Sequence, residues 1–123
     1  MTRFRPAGLG EGLISDFEGD KIASNFGQGW MVSTDSFMGG KSKADMSLTG
    51  EGAEGSYGSL RIAGMVAEAG SIRWAGAMFS PGSAVMAPDN LASKKALGFW
   101  ARGTGRFFAV MVYSQGLGYI PGV

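Results

Sequence analysis

Short apolar runs, each closed by turn-forming residues, set the pattern of this chain. Seven runs predict strands, over residues 13–17, 30–34, 44–49, 59–65, 71–79, 96–101 and 107–114. Between them stand Gly19-Asp20, Gly39-Gly40, Gly50-Glu51-Gly52, Gly70, Pro81-Gly82 and Gly103-Thr104-Gly105, residue types that favour turns. Leu60 and Ile62 alternate with more polar neighbours, the period of a half-buried strand. No window carries the apolar stripe of a helix. Residues 87–95 predict one short helical turn, with Asp89 or Asn90 as its cap. The run Phe107-Phe108-Ala109-Val110-Met111-Val112-Tyr113 is apolar on both faces, which predicts a central strand covered twice. Residues 102–106, Arg-Gly-Thr-Gly-Arg, predict a hairpin loop in front of it.

Composition supports an all-β chain with many turns. Glycine takes 22 of 123 positions, against an ordinary share of about 7%. Aromatic residues at 11% are too many for a disordered glycine-rich tail. The length suits one domain with one core, with residues 1–12 as a flexible lead-in and 13–123 as the domain. There is no cysteine and no histidine. Their absence excludes Ser-His-Asp and Cys-His catalysis within the chain, zinc sites built on either residue, and disulfides. A net charge of +1 gives no reason to expect nucleic acid as a partner. No apolar stretch follows Met1-Thr2-Arg3-Phe4-Arg5-Pro6 as it would in a signal peptide. The longest apolar run, 107–113, falls far short of a membrane span, and nothing in the chain names a compartment.

Two stretches are distinctive. In Trp30-Met31-Val32-Ser33-Thr34-Asp35-Ser36-Phe37-Met38-Gly39-Gly40-Lys41-Ser42 a strand runs to an aspartate and a double-glycine turn follows at once. The glycines suggest a backbone held at positive φ. Upstream, Leu13-Ile14-Ser15-Asp16-Phe17-Glu18-Gly19 ends an apolar run in two carboxylates. Together they resemble the complex I intermediate-associated protein 30 family, whose most recognisable signature is matched here by Asp35, Met38, Gly39, Gly40 and Ser42. The resemblance implies a jelly-roll, galactose-binding-like β-sandwich and a non-catalytic module. It spans residues of about 13–115, roughly the first two thirds of a family domain, so the expectation is a partial sandwich lacking its last strands. A truncated gene product is the favoured explanation, with strand donation from another chain and a trimmed variant that is still stable as alternatives.

The candidate sites follow from residue chemistry. On a strand over 96–101, Trp100 and Arg102 share the less apolar face, and Tyr113 on the next strand is able to join them. Aromatic rings beside hydrogen-bonding groups on a concave sheet suit a carbohydrate or another small ligand. Asp16 and Glu18, two apart, would share a strand face and offer oxygens to a structural calcium ion. Gly40-Lys41-Ser42 imitates the end of a phosphate-binding loop, but Asp35 stands where that loop needs a glycine, and a tight inter-strand turn is the better reading. Trp74 is expected in the core with Ile72 and Met78, Trp30 at one end of the sandwich, and Met46, Met65, Met78 and Met111 as core filler.

Two functions follow. The first is a carbohydrate- or small-ligand-binding module using Trp100, Arg102 and Tyr113. The alternative is a chaperone-like assembly factor, acting on respiratory complex I or another protein complex through the surface around residues 35–42. A sugar binder requires Trp100 open in a groove, whereas an assembly factor requires exposed apolar surface without sugar-like polar geometry.

Overall fold

The computed structural model describes residues 12–68, 70–114 and 121–122. The expected lead-in lies outside them except for Gly12. The chain is mostly β, built from β1 (Gly29–Thr34), a 3-10 turn at Asp35–Met38, β2 (Lys43–Thr49), β3 (Ser59–Met65), β4 (Ala75–Ser80), β5 (Val112–Tyr113) and β6 (Pro121–Gly122). The strands pair in antiparallel twos, β1 with β4, β2 with β3 and β5 with β6. β2 and β3 form a hairpin in which Met46 faces Ile62 and Leu48 faces Leu60. β1 and β4 pair across a long excursion of chain, with Trp30 opposite Phe79 and Val32 opposite Ala77. The two main ladders touch, and at Gly64 of β3 an added methyl group would sit 3.0 Å from the Ala75 side chain of β4.

Residues 30–34, 44–49 and 59–65 form strands as the apolar pattern predicts. Five other expectations are corrected. Residues 13–17 are not a strand: the carbonyls of Leu13 and Ile14 are engaged by Asn25 through its side chain and backbone, at 3.0 and 2.7 Å. Phe17 then turns the chain at φ 57°, which ends any extended run. The predicted strand over 71–79 begins only at Ala75, because the backbone of Trp74 is bonded to Asp35. Residues 96–101 form no strand, and of 107–114 only Val112–Tyr113 pairs. The expected doubly covered strand therefore has Phe107 fully exposed and Phe108 72% exposed. The helical turn expected over 87–95 reduces to Asn90 accepting from the Ala92 N–H at 3.0 Å, with Lys94 N–H bonded to the Leu91 carbonyl.

No apolar side chain among the described residues is fully buried; the buried side chains are those of Asp35, Ser42 and Ser80. Aromatic contacts stand in place of a core at one end of the β1–β4 ladder. The Trp30 ring meets Phe17 at 5.8 Å and Phe79 at 5.4 Å, and Phe26 meets Phe79 edge-on at 5.4 Å. Trp30 also donates its indole N–H to Ser15 Oγ at 3.0 Å, which ties the 13–17 segment down. Ile72, expected beside Trp74 in a core, is exposed, as are Met65 and Met111.

Candidate functional site

The distinctive turn holds two of the three buried polar side chains among the described residues, Asp35 and Ser42. Thr34 at the end of β1 caps the 3-10 turn, its hydroxyl accepting from the Ser36 N–H at 3.3 Å. Gly39 closes that turn at φ 84°, a left-handed conformation that glycine adopts without steric cost, and its N–H donates to the Ser36 carbonyl. The chain then doubles back, and the Asp35 side chain, 1% exposed, receives three donors. The Ser42 N–H reaches Oδ1 at 3.0 Å, while the Ser42 hydroxyl and the Trp74 N–H reach Oδ2 at 2.7 and 3.1 Å. Asp35 in turn donates its own N–H to the Trp74 carbonyl at 3.2 Å. Ser42 Oγ accepts from the Ala67 N–H at 3.0 Å.

One carboxylate thus fastens the end of β1 to the approaches to β2 and β4, and Ser42 extends the hold to the exit of β3. A buried carboxylate is costly unless its lone pairs are satisfied, and three N–H or O–H donors do so here. The Ser42 hydroxyl is the main reason that the Asp35 carboxyl titrates below its ordinary 3.8; the backbone N–H groups of Ser42 and Trp74 and the charge of Arg73 add to this, and desolvation opposes them. Gly40 has a different task from Gly39. Its φ is ordinary, but a Cβ there would overlap the Asp35 carboxyl. The motif Asp-x-x-Met-Gly-Gly-x-Ser is therefore a clamp: an acceptor, a left-handed residue, a residue without a side chain and a donor. Met38 does not join it and is exposed. The Trp74 backbone is the partner that no sequence motif pointed to. Its ring lies edge-on to Phe37 at 5.5 Å, and its indole N–H donates to Ser33 Oγ at 3.1 Å.

The other expected site residues are not gathered. Arg102 forms an exposed ion pair with Glu51. Trp100 is half-buried, and Tyr113, exposed on β5, directs its hydroxyl to the Met111 sulfur at 3.8 Å. No hydrogen bond joins these three among the described residues, and none of them lines either of the two cavities beside the clamp. Asp16 accepts from the Glu18 N–H at 3.0 Å. The Glu18 carboxylate is taken by the N–H groups of Tyr57 at 3.0 Å and Gly58 at 2.6 Å, so it anchors the chain ahead of β3. Among the described residues no group of three or more carboxylates converges as a metal site would require.

Two cavities flank the clamp. An open groove of ≈ 520 Å³ is lined by Val32, Thr34, Ser36, Lys41, Lys43 and Ala44, together with Gly40 and Ser42 of the clamp. A smaller cavity of ≈ 160 Å³ lies on the side of Asp35, Met38 and Ile72. Comparison of the chain with family models, with curated proteins and with solved structures finds no match in any of the three.

Proposed function

We propose that the chain is a non-catalytic protein-binding module with an assembly role. Its two main ladders are read as parts of a jelly-roll, galactose-binding-like sandwich of the kind the complex I intermediate-associated protein 30 resemblance implies. The observation that carries the binding reading is the exposure of the 107–113 segment. Seven consecutive apolar residues lie open, and residues 107–111 make no backbone hydrogen bond to another described residue. Such a segment offers an apolar face and free N–H and C=O groups together, the chemistry by which a strand of another protein is joined. The partner is therefore a protein with an exposed strand edge and an apolar surface. Respiratory complex I is the complex that the family name suggests. A sugar site is less well supported, because Arg102 is engaged by Glu51 and not aimed at a ligand.

Replacing Phe107 and Phe108 together with serine tests this reading. If the strip is a docking face, the double variant keeps the parent's melting temperature to within about 2 °C, since exposed side chains contribute little to folding. It also loses most of the parent's binding of a hydrophobic dye. A fall of more than about 10 °C would make the strip part of a core and contradict the reading. An upward thermal shift with a neutral sugar, lost in Trp100→Ala, would restore the carbohydrate alternative.

A further inference from the structure

We propose that the ≈ 520 Å³ groove beside the clamp binds a small organic anion, a phosphate or carboxylate carried on a sugar-like skeleton. This inference does not depend on the protein-binding reading. The clamp itself creates the site. Asp35 fixes Ser42 through two hydrogen bonds, and the residues on either side of it, Lys41 and Lys43, both line the groove. The one ion pair among the described residues is Arg102–Glu51, so neither lysine is paired with a carboxylate of a described residue. No acidic side chain lines the groove. Asp35 lines the other cavity and already holds three donors. Asp45 stands two residues beyond Lys43 on β2, outside the lining.

The remaining wall suits a polyhydroxylated carbon skeleton. Thr34 Oγ1 and Ser36 Oγ lie 2.7 Å apart and share one hydrogen, and Thr34 Oγ1 also accepts the Ser36 N–H, so one hydroxyl hydrogen and two lone pairs remain for a ligand. Val32 and Ala44 supply an apolar strip for the carbon face of a ring. The volume falls in the lower half of the range typical of small-molecule sites, about 300–1,000 Å³. The two ammonium groups then select for negative charge and against neutral sugars.

The test is an NMR titration of the isotopically labelled 123-residue chain with glucose 6-phosphate, glucuronate, glucose and inorganic phosphate. Saturable shifts are expected in the amides of residues 32–44 with either sugar anion, with smaller effects from inorganic phosphate and none from glucose. Added salt weakens the binding. The double variant Lys41→Gln/Lys43→Gln keeps the parent spectrum elsewhere and binds about tenfold more weakly. The proposal is overturned by absence of saturable binding with both sugar anions, by shifts centred outside 32–44, by glucose binding as well as its phosphate, or by an unchanged affinity in the double variant.

Discussion

Asp35→Ala is expected to destabilise the chain more than any other single polar substitution. It removes the acceptor of the Ser42 N–H, the Ser42 hydroxyl and the Trp74 N–H at once, and strands those donors at a site that is 1% exposed. Ser42→Ala deletes one hydrogen bond to the carboxylate and one from Ala67, which costs about 1.5–3 kcal/mol. Asp35→Ala exceeds that loss. Asp35→Asn also falls below the parent, because its NH2 group would face donors. The pH dependence has a definite sign. The folded-state pKa of Asp35 lies below the ordinary 3.8, so its contribution is complete above that value and is lost as pH falls through the folded pKa. Unfolding by urea at pH 6 and pH 3 measures it: the parent loses stability on acidification, and Asp35→Ala loses less.

Gly40→Ala and Gly39→Ala should separate the two glycines of the turn. At Gly40 the added methyl meets the Asp35 carboxyl, which three bonds hold in place, so relief requires opening the clamp. The expected cost is about 3 kcal/mol or more. At Gly39 a methyl would meet nothing within 4 Å, and only the left-handed backbone at φ 84° is penalised. That cost is about 1–2 kcal/mol. Equal losses at the two positions, measured by chemical unfolding, would show that Asp35 does not approach Gly40 as described.

The same pair shows how much of the site was legible in the sequence. Asp35, Gly39, Gly40 and Ser42 stand out because such residues cluster where a chain turns sharply, and the double glycine pointed to positive φ. Only Gly39 uses it. Gly40 is required by a side chain five residues earlier, and a contact made by folding back leaves no periodic trace. The Trp74 backbone was out of reach for a similar reason: it lies 39 residues from Asp35, and any residue but proline would supply the same N–H. Strands were legible where apolar and polar residues alternate and a partner lies near, as in the β2–β3 hairpin. Apolar content alone misled at 96–101 and 107–111. A hydrophobic run states that burial is favourable, not that a covering surface is present. Residues 13–17 failed differently, since Asn25 captured the carbonyls that a neighbouring strand would have used.

Hydrogen exchange across the 123-residue chain, read amide by amide, tests the central claim that a polar clamp organises a module whose apolar strip is open. The slowest amides are expected at Ser42, Ala67 and Trp74 and along the β1–β4 and β2–β3 ladders, while residues 107–111 exchange at nearly the rate of an unfolded peptide. Protection of 107–111 equal to that of the ladders, with fast exchange at Ser42 and Trp74, would contradict it.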